Sequence, residues 1–124
     1  MRVYIGGSIS SDKNYRKKFQ KCEEAVRKKY PDWEIFNPAE IEINENWDWA
    51  DYMLFDLQQL NKCDAIICIE DGTKEFSYGI QIEKLWCRRT NKKIGFYYLK
   101  FDKLMIYHLD MFNFGSEAFA VEGQ

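Results

Sequence analysis

The 124-residue chain has a single histidine, two prolines and four cysteines, and no two of those cysteines form a Cys-x-x-Cys pair. With His108 the only imidazole, a zinc site is not expected, and Cys22, Cys63, Cys68 and Cys87 read as buried thiols of a reducing compartment. No run of eighteen apolar residues occurs, and no basic segment leads into an apolar one at the N-terminus, so neither membrane spanning nor secretion is indicated and a cytoplasmic protein is expected. An excess of charge is missing too: 18 Lys and Arg stand against 20 Asp and Glu, net −2. That balance argues against a surface built to neutralise nucleic-acid phosphates. Neither a GxGxxG fingerprint nor a Walker A loop is present, so neither a dinucleotide nor a triphosphate is specified.

What is present is the composition of one globular domain, 46% hydrophobic and 31% charged, with aromatics at 17%. The basic residues that cluster, in "YRKKFQKCEEAVRKK", alternate with apolar ones at helical spacing and read as a solvated helix face.

Along the chain, strands alternate with helices. "RVYIGG" (2–7) reads as a buried strand stopped by a glycine pair, and a helix follows from about Asn14 to Lys29 with Phe19, Cys22, Ala25 and Val26 inside. "WEIFNP" (33–38) is a second strand ended by Pro38. Trp47 to Leu60 forms a helix whose apolar arc holds Ala50, Met53, Leu54, Leu57 and Leu60, with Asp56 at its border. "CDAIICIE" (63–70) reads as a strand buried on both faces, and "KKIGFYYL" (92–99) as a fourth. Residues 100–124 are ambiguous: Leu104, Tyr107, His108 and Met111 fit a helix, and the aromatic content of this tail suits packing on something, a second subunit included. Alternating β and α elements with short connections predict a parallel sheet of four to five strands with helices on both faces. One domain is expected over 1–124, with its core in 1–99.

In such sheets ligands bind beyond the carboxyl ends of the strands, where strand order reverses. The unusual residues fall there: Gly6, Gly7 and Ser8 end the first strand, and the helix after the third carries Ser77, Gly79 and Glu83. A "GGSIS" turn offers N–H groups and hydroxyls to an anion, and by itself it is equally an ordinary tight turn. Glu83 is the sharper signal. In "FSYGIQIEKLW" it falls inside the apolar arc formed by Phe76, Tyr78, Ile80, Ile82, Leu85, Trp86 and Cys87. A carboxylate there is either at the edge of a core with its tip in water or held in a cleft for use. A desolvated carboxylate steadied by a hydroxyl is a competent nucleophile toward a sugar anomeric carbon, and a second carboxylate must then manage protons. Asp56 is the candidate, although a surface acid on a helix flank fits it as well.

The ordered set "VYIGGSI", "FNP", "YMLFDLQQLNKCDAIICI" and "SYGIQIE" resembles the nucleoside 2-deoxyribosyltransferase superfamily over residues 1 to about 99. The branch it is most similar to is that of the 2′-deoxynucleoside 5′-monophosphate N-glycosidases. The resemblance implies a flavodoxin-like, Rossmann-like three-layer sandwich in which a glutamate attacks C1′ and expels the base. Water or another base then takes up the deoxyribosyl group. By position it implies Glu83 as nucleophile, Tyr4 as the hydroxyl that holds it and Asp56 as the proton-managing acid. Gly7, Ser8 and Ile9 would wrap the substrate's 5′-phosphate, Ser77 would add a further phosphate contact, Gly6 and Gly79 would belong to the substrate-binding set, and Asn37 and Trp47 would stand near the base. It also implies no metal and no cofactor, a small nucleoside or nucleotide as ligand, and a homodimer or larger homo-oligomer. Where the glycosidases carry Arg-Gly-Gly this chain has Ser10-Ser11-Asp12, so the strongest phosphate ligand of that branch is missing. Two other readings share the pattern: a nucleotide-binding or sensing module without turnover, and a hydrolase of another N-glycosidic bond such as that of a ribonucleotide or nicotinamide dinucleotide.

Overall fold

Strand β1 (Arg2–Gly6) has Val3, Tyr4 and Ile5 each at most 1% exposed, because protein covers the sheet on both faces. In the computed structural model the described residues are 1–9, 13–73, 77–108 and 119–120. Helix α1 (Tyr15–Lys29) buries Phe19, Cys22 and Val26, spaced by three and four residues, and ends on Arg27, Lys28 and Lys29, which suit the negative end of the helix dipole. The elements that follow are β2 (Glu34–Phe36), α2 (Trp49–Asn61), β3 (Ala65–Glu70), α3 (Tyr78–Arg89), β4 (Lys93–Tyr98), β5 (Lys103–His108) and β6 (Phe119–Ala120).

These strands form one sheet in the order β2-β1-β3-β4-β5-β6. The first four run parallel, with Tyr4 beside Phe36 on one side and Ile66 on the other, and β5 and β6 add antiparallel at the far edge. The order of the first five is that of the flavodoxin-like doubly wound fold. Strand alternation sorts the core into two layers. Val3, Ile5, Ala65 and Ile67 pack with Phe19, Cys22 and Val26 of α1, while Tyr4, Ile66 and Cys68 face Leu60, Cys63 and Cys87 on the side of α2 and α3. Each fully buried aliphatic or aromatic side chain of this set contributes about 1.5–3 kcal/mol. All four cysteines are free and buried, and desolvation raises the pKa of every one of them, to about 12 for Cys87, so they behave as apolar packing groups.

The tail departs from the helical expectation. Residues 103–108 form a strand, with Leu104 and Ile106 buried at alternate positions, and Asp102 takes the left-handed conformation (φ 48°) that reverses the chain after β4. The Tyr97 hydroxyl donates to Asp102 Oδ1 at 2.6 Å and fixes that reversal. The period of two outweighs the period read through Leu104, Tyr107 and His108, and this part of the tail packs on the chain's own sheet. Met111 lies outside the described residues.

The helix arcs also shift. In α2 the buried residues are Met53 and Leu60, while Leu54 is 63% exposed and Ala50 is exposed; in α3 they are Glu83 and Cys87, while Leu85 is 62% exposed. Apolar side chains on these helices outnumber the positions that face the sheet, and the surplus points outward. Phe76 of the sequence arc lies outside the described residues. No described helix is long and apolar enough to cross a membrane.

Candidate active site

At its carboxyl end β1 lies between β2 and β3, and the chain leaves it for α1 on one face and returns through α2 on the other. A crevice must open at this reversal. It holds a cavity of about 740 Å³ into which Tyr4, Asp56 and Glu83 all face.

Three elements deliver those groups. Tyr4 alternates onto the α2–α3 side of β1, where its ring stacks on Phe36 at 5.5 Å. Glu83 projects from α3, a helix begun by Ser77, whose Oγ accepts from the Ile80 N–H at 3.4 Å. Asp56 projects from α2, begun by a reciprocal capping box in which the Asp51 N–H donates to Asp48 Oδ1 at 2.9 Å and the Asp48 N–H to Asp51 Oδ2 at 3.0 Å. Glu83 is 5% exposed, and the Tyr4 hydroxyl donates to its Oε2. Burial pushes the Glu83 carboxyl up to about 8, with the Tyr4 hydrogen bond opposing and the Asp56 charge adding to the rise. Burial likewise lifts Asp56 to about 6, moderated by its own hydrogen bond with Tyr4. Desolvation, then the two carboxylates, raise the Tyr4 phenol well above its usual value, so it remains a donor. A phenol that stays protonated thus gives its one proton to Glu83 as a hydrogen bond and stands beside a second desolvated carboxyl, Asp56. Between about pH 6 and 8 the pair holds one proton and one charge, which is what a site needs to attack with one carboxylate and protonate a leaving group with the other.

The remaining walls explain the other candidates. Gly7, Ser8 and Ile9 line the cavity from the end of β1, Ser77 and Gly79 from the start of α3, and Trp47 from the loop before α2. Tyr52 holds that loop: its hydroxyl accepts from the Asn44 N–H at 2.7 Å and donates to the Asn44 carbonyl at 3.1 Å, while Trp47 meets the rings of Tyr52 and Phe55. A second, smaller cavity of about 140 Å³ adjoins the first across Gly7, Ser8, Ser77 and Ile80, and Lys18 and Lys84 line it. Lys18 donates to Asp71 at 2.7 Å; burial opposes ionisation of Asp71, and the Lys18 and Thr73 donors outweigh it and hold Asp71 down at about 2. Ser10, Ser11 and Asp12 lie outside the described residues.

Two expected residues are not in the cavity wall. Asn37 is buried, but its amide is committed to structure: Oδ1 accepts from the Ala39 N–H at 2.9 Å and Nδ2 donates to Glu23 at 3.1 Å. Gly6 makes room for packing, since a Cβ there would stand 3.0 Å from Ile66 Cδ1 and 3.1 Å from Ile80 Cδ1. Gly7 lines both cavities and is also held by packing, because a Cβ would meet the Phe19 ring at 2.9 Å. Sequence reading missed Tyr52, Met53, Ile41 and Ile43, all of which line the main cavity. The aromatic density of "WDWADYMLF" is the one signal that could have pointed to Tyr52 and Met53. Among the described residues, no group of three His, Cys, Asp or Glu side chains is placed to hold a metal.

Comparison with curated proteins finds no match. Among solved structures, a conserved protein from Enterococcus faecalis V583 superposes with a TM-score of 0.62 at 17% identity, over 76% of this chain, which spans only 60% of that protein's length. That likeness is one of fold. A family model described as a domain of unknown function, DUF4406, matches residues 1–96, a span that runs from the start of β1 to within β4 and takes in Tyr4, Asp56 and Glu83; the chain therefore belongs to the DUF4406 family.

Proposed function

We propose that the protein cleaves the N-glycosidic bond of a 2′-deoxyribonucleoside or its 5′-monophosphate. Glu83 and Asp56 share one proton, which rests mainly on Glu83, and the reactive tautomer is the minor one with the charge on Glu83 and the proton on Asp56. From it Glu83 attacks C1′, the bond to the base breaks with its electron pair leaving on the base nitrogen, and the departing base takes up the proton from Asp56. The deoxyribosyl ester on Glu83 is then released to water, activated by Asp56, or to a second base. The observation that carries this reading is the constellation itself: a buried carboxyl bonded to a buried tyrosine, with a second desolvated carboxyl, opening into a cavity large enough for a nucleoside. Deoxyribose suits the chemistry because no 2′-hydroxyl withdraws electrons from the oxocarbenium-like transition state. A 5′-phosphate would reach toward the adjoining cavity, where Ser8, Ser77 and Lys84 offer donors; Lys18 there is paired with Asp71 and Glu70 also lines the wall, so the two lysines are balanced by two acids. The rest of the reading is a cytoplasmic enzyme that works as a homo-oligomer.

The test is to incubate the protein with a panel of deoxynucleosides, their 5′-monophosphates, ribonucleotides and a nicotinamide dinucleotide, with and without an acceptor base, and to follow free base by chromatography. Base release supports the proposal, and its dependence on phosphate and acceptor separates hydrolase from transferase. Ligand binding with no release from any member would instead identify a sensing module. Release confined to ribonucleotides or nicotinamide dinucleotides would identify another N-glycosidic hydrolase.

A further inference from the structure

The main cavity is lined by three carboxyl side chains, Asp48, Asp56 and Glu83, and, among the described residues, by no lysine, arginine or histidine. The basic groups nearby are used elsewhere. Lys18 and Lys84 line the adjoining cavity and not this one. Arg16 donates from its guanidinium to the Ala39 carbonyl at 2.8 Å and lies 5.3 Å over the ring of Tyr15. Beside its aliphatic residues, the end of the cavity assigned to the base carries Trp47, Trp49 and Tyr52. The planes of Trp47 and Tyr52 meet at 73° with their centres 5.1 Å apart, which makes a corner and not a closed stack. Asp48 stands in the same wall. Its Oδ1 accepts from the Asp51 N–H in the capping box, and among the described residues no donor is bonded to its Oδ2.

We infer that the cavity selects N-glycosides whose base is a cation, such as a deoxynucleoside alkylated at a ring nitrogen of the base, through Asp48 and the rings of Trp47, Trp49 and Tyr52. The inference rests on the N-glycosidic reading above and adds to it the charge of the substrate. Carboxylates and aromatic faces with no basic side chain among them favour a flat cation twice, by Coulomb attraction and through the ring quadrupoles, and the enclosing walls concentrate that field. A cationic base also leaves more simply. Glu83 forms its ester bond to C1′, the bond from C1′ to the base breaks, and the electron pair that passes to the ring nitrogen cancels the positive charge. The base departs neutral and takes up no proton, so this step does not need Asp56 as an acid.

The test uses 1-methyl-2′-deoxyadenosine, a cation at neutral pH, beside its neutral isomer N6-methyl-2′-deoxyadenosine and 2′-deoxyadenosine, all without phosphate. Binding is measured by calorimetry and base release by single turnover. We expect the wild type to bind the cation at least about tenfold more tightly than either neutral nucleoside. Asp48→Asn keeps a capping side chain, so its melting temperature should stay within about 2 °C of wild type while the preference falls at least about threefold. Asp56→Asn should slow release from 2′-deoxyadenosine at least about 100-fold and release from the cation less than about tenfold. Binding of the cation no tighter than that of 2′-deoxyadenosine, which carries the same amino group without the charge, would overturn the inference. An Asp56→Asn loss equal for the two substrates would do the same, and a preference untouched by Asp48→Asn would overturn its assignment to this wall. Release from the neutral nucleosides but not from the cation would leave the N-glycosidic reading standing and remove the inference. Release from none of the three, nor from any member of the wider panel, would contradict that reading itself, and the inference would fall with it.

Discussion

At the scale of single residues, the account turns on three groups that water would normally keep apart. Glu83 and Asp56 are desolvated together around one phenol, and their pKa values separate to about 8 and about 6. Below about pH 6 both carboxyls are protonated and no nucleophile exists; above about pH 8 both are ionised and no acid remains. The rate constant kcat/KM for base release is therefore expected to be bell-shaped, with limbs near these two values, and a pH series of initial rates checks it. The same burial has a stability consequence of definite sign. Because the folded pKa of Glu83 lies above the ordinary carboxylate value, the folded state is favoured at low pH and loses that advantage as pH rises through about 8. Glu83→Gln removes the ionisation, so its melting temperature should exceed that of wild type at pH 8 and match it within a degree or two at pH 4. A stability gain at pH 8 that is absent, or equal at both pH values, would mean that the carboxylate is not desolvated as described.

At the scale of elements, most of the pattern was legible from periodicity. β1 and β3 are apolar runs, α1 carries its stripe at three- and four-residue spacing, and each appears within two residues of its expected bounds. Glu83 and Asp56 could be read as misplaced charges, and Tyr4 could be paired with them only through a resemblance, because 79 residues separate it from Glu83. Asn37 was misread since a buried asparagine looks the same in sequence whether it caps a turn or meets a ligand. The strand at 103–108 was missed because two periods compete over six residues, and pairing with β4, a tertiary effect, decides between them. The outward apolar residues of α2 and α3 were invisible for a related reason: an apolar arc does not say which part of it meets the sheet. Leu54 and Leu85, both more than 60% exposed, belong to this surplus.

At the scale of the whole molecule, the fold places the chemistry. A parallel sheet in flavodoxin-like order has one strand-order reversal, at β1, and the two covering helices that follow it bring an acid each to the same crevice as the β1 tyrosine. The antiparallel β5 and β6 extend the far edge of the sheet, away from that crevice, and leave it open. Its walls divide by chemistry into a mainly aromatic and aliphatic side at residues 41–53 and a polar side at the ends of β1 and β3, where hydroxyls, two lysines and the acids Glu70 and Asp71 meet, which suits a ligand with a flat apolar base at one end and a polar group at the other. The central claim is that Glu83 is the nucleophile of this crevice. The most direct measurement is the single-turnover rate of base release from the best substrate of the panel, wild type beside Glu83→Gln, at a pH between the two limbs. The account predicts that the variant still folds and binds the substrate but releases base at least about 10³-fold more slowly. A variant that releases base at the wild-type rate would contradict it.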